Sequence, residues 1–525
     1  MLRRTLLTTA SAALAMPAIV KAETARVLRF VPQADITALD PIWSTATVTR
    51  NHGLMIFDTL YGGDAAFRTQ PQMAEGACAD DDGRRWTITL REGLAFHDGT
   101  PVLARDCVAS LRRWGKRSGF GQVLFAATDD LTAPNDRTIV FRLRRPFPLL
   151  LDAIGQTGIN WCPMMPERLA STDAFKALTE MVGSGPYRFL PDERVSGARA
   201  AYARFDGYRP RPNGTPEWTS GPKIAHFDRV EWLVIPDSAT AAAALRNNEV
   251  DWWENADFDL LPSLHRDPAV STHVMYTTGN YAFMRMNQLL PPFDNPAIRR
   301  MLLAAVDQAE FMIAAAGEDQ AGWRDHTGFF TPATPMASDA GLMAPTPPRD
   351  RARIRRDLIA AGYNGERVVH LVPSDQPTLR ALGLVAADTL KQAGFNVDVQ
   401  TVDWGTLLQR RTNRGPLAQG GWSCFCSTFA GIDAASPASN TGLRGNGPDA
   451  FFGWPTAPAL ESLRDRWFDA PDLAAQQAAA AAIQVQAFAD VPYVPLGQFF
   501  QSTAQRRSLV DRLDGFPVFW NIRRA

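Results

Sequence analysis

The sequence predicts an α/β protein with more than one domain, and three features support this prediction. The chain has 525 residues, whereas a domain holds on the order of 150 residues. Residues 368–372, 378–392 and 395–401 have the patterns of a strand, a helix and a strand, and their short connections predict a parallel βαβ unit. Apolar and polar residues alternate over residues 86–90, and helical spacing follows over residues 107–114, which predicts a separate α+β block.

The composition is that of an ordinary globular protein. Hydrophobic residues make up 46% of the chain, which is enough for more than one core, and the formal net charge is −1. Basic and acidic residues are balanced and the basic clusters are short, so an extended nucleic-acid-binding surface is excluded. After residue 22, the sequence contains no uninterrupted apolar run of the ~18 residues that a membrane-spanning helix needs.

The first 22 residues predict an export signal rather than part of the fold. Arg3-Arg4 precedes a run of apolar and small residues from Leu6 to Val20, and Val20-Lys21-Ala22 forms a small-residue cleavage site. The paired arginines resemble a twin-arginine signal, but the flanking residues match it incompletely, so general secretory export stays open. We expect an exported, soluble periplasmic protein without a lipid anchor, because no cysteine follows the cleavage site.

The cysteines are interpreted as core residues rather than metal ligands. The chain has five: Cys78, Cys107, Cys162, Cys424 and Cys426. An odd number leaves at least one unpaired in an oxidising compartment, and the pairing of the others stays open. Cys107 lies on the apolar face of a predicted helix, and the pair at 424 and 426 lacks a second Cys or His pair at zinc spacing.

The first half of the chain alternates strands, turns and helices. Residues 27–31 predict a strand, and residues 51–61 predict a helix with one apolar face. Asp40, in Leu39-Asp40-Pro41, is interpreted as a turn cap rather than a ligand contact. Residues 182–187 (VGSGPY) predict a tight turn whose glycines allow close backbone approach, and an anion-binding nest is the alternative.

The second half ends in a long irregular region. Residues 281–287 predict a strand, and Asn295 is a suitable N-cap for the helix that follows. Residues 415–455 show no regular pattern but contain several aromatic residues, so we expect a functional loop rather than disorder. Residues 491–496 predict a strand that returns to the first part of the fold.

Residues 82–101 carry the most specific pattern in the chain. Asp82-Gly83 precedes Trp86, Leu90-Arg91, Gly93 and the turn Phe96-His97-Asp98-Gly99-Thr100-Pro101. This order resembles the signature of the peptide/nickel family of bacterial extracellular solute-binding proteins (family 5), the soluble receptors of ABC importers, although Ile88 and Cys107 depart from it. Residues 182–187 match a second motif of that family. The resemblance implies a two-lobed periplasmic-binding-protein fold with a hinge and an additional subdomain on lobe one.

The resemblance also implies how the chain is divided. We predict a signal peptide (1–22), lobe one in three parts (23–60, 182–272 and the closing segment 491–525), an accessory α+β subdomain (61–181) and lobe two (273–490). A ligand would bind between the lobes, which would close on it by a hinge motion.

The resemblance points to candidate ligand-binding residues in lobe two. Peptide-binding members place the Trp of a Gly-Trp pair beside the ligand, which Gly421-Trp422 matches, and a carboxylate a few residues later holds the ligand's ammonium. Here the first acid after Trp422 is Asp433. An Arg after a lobe-two strand holds the ligand's carboxylate; Gln376 stands near that position, and Arg380 follows one helical turn later. Because these charges depart from the family pattern, the resemblance favours the fold more strongly than a short-peptide ligand.

The sequence also contains further candidate residues for the ligand site and features that bear on alternative functions. Trp404 and Trp454 are further aromatic candidates for the ligand site. No cofactor is expected, and the histidines are too scattered to predict a metal site. His97-Asp98 looks like part of a catalytic dyad but has no accompanying nucleophile motif, so we predict that the protein is not an enzyme. We expect a monomer that binds a small solute and docks on a membrane permease; chemosensing or chaperone-like binding is the alternative.

Overall fold

The computed structural model describes residues 26–159, 161–342 and 350–525, so the predicted signal peptide lies outside the described residues. Within these ranges the strands form a seven-stranded sheet, a six-stranded sheet, a four-stranded sheet and two short pairs. Helices pack on the sheets, which confirms the predicted α/β class.

The strands are numbered in chain order. They are β1 (Val27–Val31), β2 (Tyr61–Gly63), β3 (Thr69–Pro71), β4 (Ala74–Asp80), β5 (Arg85–Leu90), β6 (Thr128–Asn135), β7 (Thr138–Leu143), β8 (Tyr187–Phe189), β9 (Arg199–Arg204), β10 (Arg229–Leu233), β11 (Trp252–Trp253), β12 (Val270–Val274), β13 (Asn280–Met286), β14 (Trp323–Arg324), β15 (Arg367–Pro373), β16 (Asn396–Val402), β17 (Cys424–Ala430), β18 (Val494–Phe499), β19 (Ser502–Arg506), β20 (Leu509–Val510) and β21 (Arg523–Arg524).

The α-helices are numbered in the same way. They are α1 (Thr47–Ile56), α2 (Ala104–Gly115), α3 (Gly119–Ala127), α4 (Leu150–Ile154), α5 (Glu167–Ala170), α6 (Ser238–Arg246), α7 (Leu261–His265), α8 (Pro296–Ala305), α9 (Gln308–Ala316), α10 (Arg351–Ala360), α11 (Pro377–Ala393), α12 (Trp404–Arg410), α13 (Pro458–Phe468) and α14 (Leu473–Asp490).

Lobe one is built on the seven-stranded sheet, with the order β12-β19-β11-β1-β10-β9-β8. β1 lies at its centre and runs parallel to both β10 and β11. The side chain of Phe30 on β1 packs against Trp232, Trp252 and Phe519, with ring centroids 4.9–5.3 Å apart. Because the closing segment supplies Phe519, the two ends of the described chain share one aromatic core.

Lobe two is built on the six-stranded sheet, with the order β14-β18-β13-β17-β15-β16. β15 runs parallel to both β16 and β17, and α11 connects β15 to β16, which confirms the predicted βαβ unit. Cys424 and Cys426 on β17 are fully buried in the apolar cluster that covers one face of this sheet, as predicted. All five cysteines are free thiols.

Two strand predictions in this part of the chain are wrong. The strand predicted over residues 491–496 is observed as β18, and it pairs with β13 and β14 in lobe two; the chain returns to the sheet of lobe one only at β19. The region 415–455, predicted to be irregular, contains the central strand β17. The first error arises because the pattern of a strand does not indicate which sheet it joins. The second arises because the first half of β17 is buried and lacks the alternation of apolar and polar residues that marks a half-exposed strand.

The accessory subdomain contains the four-stranded sheet β4-β5-β7-β6, which includes the predicted strand over residues 86–90. Helix α2 packs against β6 and β7, with Cys107 buried. In this subdomain the turn over residues 96–101 contacts the second family motif, residues 182–187. The His97 Nδ1 accepts the Gly183 N–H at 3.4 Å, and the His97 Nε2 lies 3.0 Å from the Gly185 carbonyl oxygen. The two sequence motifs therefore form one structural unit.

The glycines of that second motif are required by close contact with helix α1. A Cβ at Gly183 would lie 2.2 Å from the Ile56 carbonyl oxygen, and one at Gly185 would lie 2.6 Å from the Met55 carbonyl oxygen. The Gly185 N–H donates to the Ile56 oxygen at 2.7 Å, which completes the end of the helix. This agrees with the predicted close approach.

Two neighbouring connections carry the chain between the lobes. Residues 275–279 lead from β12 to β13, and residues 500–501 lead from β18 back to β19. The strands before and after them are paired, Val274 with Ser502 and Asn280 with Phe499. Two adjacent crossings of this kind are the arrangement expected of a hinge.

A contact elsewhere, which we call the aromatic contact, joins the accessory subdomain to lobe two. Its members are Phe120 and Phe147 of the subdomain and Trp467 and Phe468 of α13, and all four are at least 95% buried. The rings of Phe120 and Phe468 lie 5.4 Å apart, and Arg145 pairs with Asp469 beside them. The accessory subdomain and lobe two therefore touch at a place away from the two crossings.

Candidate functional site

The candidate site lies where the carboxyl ends of the parallel strands of both lobes meet. Ligands of open α/β sheets bind at this edge, because loops of variable sequence follow each strand there. Asp433 follows β17 in lobe two and is 4% exposed. Its Oδ1 accepts the backbone N–H of Ile159, in the accessory subdomain, at 2.9 Å. Asp433 therefore lies at the contact between the lobes.

The carboxyl of Asp433 is buried without a cationic partner in direct contact. Burial raises the pKa of Asp433, and the nearby positive charge of Arg50 in lobe one acts in the opposite direction. Among the described residues, no arginine, lysine or histidine nitrogen lies within 4 Å of this carboxylate. A buried carboxylate with so few partners has a free-energy cost that a cationic group would offset.

Trp422 is part of the apolar core of lobe two. It is fully buried, packs against Phe425 with centroids 5.1 Å apart, and lies near Trp454 at 6.1 Å. Its indole nitrogen has no hydrogen-bond partner among the described residues. Trp404, at the start of α12, is partly exposed and packs at the edge of the same cluster. The structure thus brings three of the predicted aromatic residues into one apolar cluster of lobe two, to which Asp433 does not belong.

Gln376 and Arg380 lie on the surface at the start of α11. Gln376 is the N-cap residue of this helix, and both side chains are exposed. The neighbouring Asp375 accepts the Trp404 backbone N–H at 2.8 Å, which links the loops after β15 and β16. These residues lie at the carboxyl edge of the sheet, but no contact joins them to Asp433 in the described structure.

A buried arginine, Arg285 on β13, organises the segment around the site. Its guanidinium donates to the carbonyl oxygens of Phe451, Phe452, Gly442 and Pro492 and lies over the Phe451 ring. Burial lowers the pKa of Arg285 to about 9. Three of these acceptors lie in the irregular segment that follows β17, so one side chain fixes that segment and joins it to Pro492, just before β18.

Sequence reasoning missed the polar groups that lobe one contributes. Helix α1 spans Thr47–Ile56, whereas the pattern predicted residues 51–61, so Arg50 was left outside the helix. Arg50 is 1% exposed and approaches Asn51 and Tyr276. Nearly every residue of α1 is buried, so the helix lacks the one-sided pattern that would have located its start.

The pair His97-Asp98 has a structural function. Both ring nitrogens of His97 face backbone groups, and burial lowers the pKa of His97 to about 4, so the ring is neutral at pH 7. Asp98 accepts from the backbone and hydroxyl of Thr100 within its own turn. In the described part of the chain, no cluster of three or more His, Cys, Asp or Glu residues could hold a metal ion, and no helix is long and apolar enough to cross a membrane.

Comparisons with known proteins agree with this architecture. Residues 68–426 match the model of the bacterial extracellular solute-binding proteins, family 5. A probable peptide ABC transporter periplasmic-binding protein of Sinorhizobium fredii is 33% identical over 523 residues, which cover 98% of this chain and 97% of that protein. The glutathione-binding protein of Escherichia coli K12 is 24% identical over 404 residues, covering 74% and 73%.

Solved structures show the same fold. The binding protein AgaA of A. tumefaciens R10, in complex with agropinic acid, has a TM-score of 0.77 at 20% identity, over 95% of this chain and 99% of that one. A dipeptide-binding protein of Pseudoalteromonas sp. SM9913, in complex with Met-Leu, has a TM-score of 0.76 at 17% identity, over 95% and 100%.

The fold is that of a two-lobed periplasmic solute-binding protein. The chain belongs to family 5 of the bacterial extracellular solute-binding proteins. It is the substrate-binding component of an ABC importer and not an enzyme.

Proposed function

We propose that this protein captures a short peptide, or a peptide-like molecule with an ammonium and a carboxylate, between its lobes. The observation that carries the proposal is Asp433, a carboxylate buried at the lobe contact without a cationic partner. A ligand ammonium would supply the missing positive charge. The named ligands of the relatives, a peptide and glutathione, have the same pair of charged groups.

The rest of the proposal concerns delivery and location. Trp422, Trp404, Gln376 and Arg380 would line or flank the ligand in lobe two, which remains a prediction. The closed, liganded form would dock as a monomer on the membrane permease subunits of the importer. The protein would reach the periplasm through the signal in residues 1–22, by the twin-arginine or the general secretory route.

A ligand screen tests the proposed function. Met-Leu, trialanine and glutathione are each added to the purified protein while its thermal unfolding is followed. A ligand at 100 times its dissociation constant should raise the free energy of unfolding by about 2.7 kcal/mol, because it binds the folded state only. Sucrose serves as the control solute. If the melting temperature does not change with any of the three, the proposed ligand class is wrong.

Asp433→Asn tests the role of the carboxylate in ligand binding. The amide keeps an oxygen for the Ile159 N–H but cannot pair with an ammonium, so we expect about 10- to 100-fold weaker binding by isothermal titration calorimetry. Asp449→Asn, an exposed change in the same segment, should leave the affinity unchanged. Equal affinities for the wild type and Asp433→Asn would remove Asp433 from the site.

The same carboxyl predicts how affinity depends on pH. Because burial raises the pKa of Asp433, the free protein takes up a proton on this carboxyl at a higher pH than an exposed aspartate would. Only the charged carboxylate binds an ammonium, so affinity should be constant above this raised pKa and fall about tenfold per pH unit below it. Calorimetric titrations between about pH 4 and pH 8 measure how the affinity changes with pH. Asp433→Asn should abolish this pH dependence.

A further inference from the structure

Arg50 on α1 and Trp161 of the accessory subdomain each carry a buried N–H donor that lacks an acceptor. The Arg50 Nη1 and the Trp161 Nε1 are shielded from solvent and have no hydrogen-bond partner among the described residues. Both side chains are 1% exposed. Buried donors are nearly always paired in folded proteins, so two such groups on side chains that approach the same helix need an explanation.

The hydrogen bonds around Arg50 leave one of its nitrogens free. Nε and Nη2 donate to the Asn51 Oδ1 at 3.2 and 3.1 Å, and Nη2 lies 3.5 Å from the Tyr276 hydroxyl. Asn51 and Tyr276 in turn donate to Glu254 at 3.0 and 2.8 Å. Arg50 itself has no carboxylate within 4 Å among the described residues, so this network does not engage Nη1.

The chain brings the indole of Trp161 to the same helix. Gly53 lies one turn after Arg50 on α1, so the two residues share a face of the helix. A Cβ at Gly53 would lie 2.9 Å from Cζ2 of Trp161, which shows how closely the indole approaches. Trp161 also follows Ile159, whose N–H binds Asp433, by two residues.

Three buried groups of defined polarity therefore lie on segments that approach one another near the contact between the lobes. Asp433 of lobe two is an acceptor, and it lies near enough to Arg50 for the guanidinium to affect its titration. Arg50 Nη1 and Trp161 Nε1 are donors, and Arg50 also supplies a positive charge. The network centred on Glu254 lies directly after β11, at the carboxyl edge of the sheet of lobe one.

We propose that Arg50 and Trp161 form the anion subsite of the interlobe cleft, and that they hold the carboxylate of a zwitterionic ligand whose ammonium pairs with Asp433. The proposal rests on the proposed function and specifies its ligand class. It places the carboxylate-binding cation in lobe one, on α1, rather than at Gln376 of lobe two. Because the two charged groups lie on different lobes, a zwitterion binds both lobes at once and so favours closure.

The first experiment changes the charged groups of the ligand and keeps the protein unchanged. Met-Leu, its C-terminal amide and its N-acetyl derivative are titrated into the wild-type protein. The amide lacks the negative charge that Arg50 would bind and should bind about 10- to 100-fold more weakly than Met-Leu. The N-acetyl form lacks the ammonium and should also bind weakly, through loss of the pairing with Asp433. If Met-Leu itself does not bind, the same comparison is made with trialanine.

Two variants assign the effect to residues. In Arg50→Gln, the acid and the amide should bind equally weakly. Trp161→Phe keeps the ring but removes the N–H, and it should weaken the acid about 2- to 10-fold without affecting the amide. Circular dichroism shows whether Arg50→Gln folds. If it does not, the proposed anion subsite is tested by the binding of acid and amide to the wild type and to Trp161→Phe.

The outcomes separate this inference from the proposed function. Tight binding of the acid and weak binding of the amide, with the difference lost in Arg50→Gln, supports the anion subsite. Equal binding of acid and amide by the wild type overturns the subsite but leaves the receptor function intact. Failure of Met-Leu, trialanine and glutathione alike to bind overturns the proposed ligand class, and with it this inference.

Discussion

Asp40→Asn should destabilise the protein by about 3–5 kcal/mol, the usual cost of breaking a fully buried ion pair from one side. Asp40 and Arg113 are at most 2% exposed, and two guanidinium nitrogens of Arg113 lie 2.6 and 3.3 Å from the two carboxylate oxygens. Asp40 also accepts the backbone N–H groups of Ile42 and Leu178. An amide nitrogen in place of Oδ2 would face two donors and leave the charge of Arg113 uncompensated.

Urea denaturation followed by tryptophan fluorescence measures this effect. The matched control is Asp357→Asn, which changes an exposed pair with Arg353 whose N–O distance is 3.4 Å, and it should cost about 0.5 kcal/mol or less. A double-mutant cycle with Arg113→Met then isolates the pairwise free energy. An exposed pair contributes about 1 kcal/mol at most. If Asp40→Asn lowers the free energy of unfolding by less than about this amount, the buried pair does not hold lobe one to the accessory subdomain.

Arg285→Met should cost a similar amount, about 3–5 kcal/mol. The side chain has no acidic partner within 4 Å among the described residues, yet it donates to four backbone carbonyl oxygens that the apolar methionine would leave unpaired. Each buried carbonyl without a donor costs about 1–3 kcal/mol, partly offset because a buried charge is also removed. Arg285→Lys should rescue little, because one ammonium cannot reach acceptors arranged around a planar guanidinium.

The exposed Arg300 provides the control for this change. It donates to the Ala489 carbonyl oxygen at 2.9 Å from the helix surface, and Arg300→Met should change the free energy of unfolding by about 0.5 kcal/mol at most. Hydrogen exchange would show whether residues 440–455 open first in Arg285→Met. Unchanged protection of that segment would mean that Arg285 does not fix it.

Local sequence patterns predicted several of the regular elements, some with accurate limits. The strand predicted over residues 27–31 is observed with those limits, and α11 differs from its predicted limits by one residue at each end. These elements could be predicted because each carries its own periodicity, and because Gly394, with φ of 106°, ends the helix at a residue that tolerates this conformation. The family motifs could be recognised because each is a short, continuous stretch of specific residues.

The candidate site was harder to predict, because its contacts join distant parts of the chain. Asp40 was correctly interpreted as a turn cap, since its Oδ1 accepts the Ile42 N–H at 2.9 Å. Its pair with Arg113, 73 residues away, left no local signal. Likewise, Asp433 was named from its distance to Trp422, but its contact with Ile159 depends on how the lobes meet. Periodicity describes a single element and says nothing about the element that faces it.

The aromatic contact between the accessory subdomain and α13 has a consequence for affinity. Phe120, Phe147, Trp467 and Phe468 bury apolar surface that belongs to the protein itself, so their contribution to closure is the same for every ligand. The apparent affinity of a receptor is its intrinsic affinity multiplied by the fraction of molecules that already have the binding-competent shape. By raising that fraction, the aromatic contact should tighten the binding of all solutes equally, and discrimination between them is left to the polar groups of the cleft.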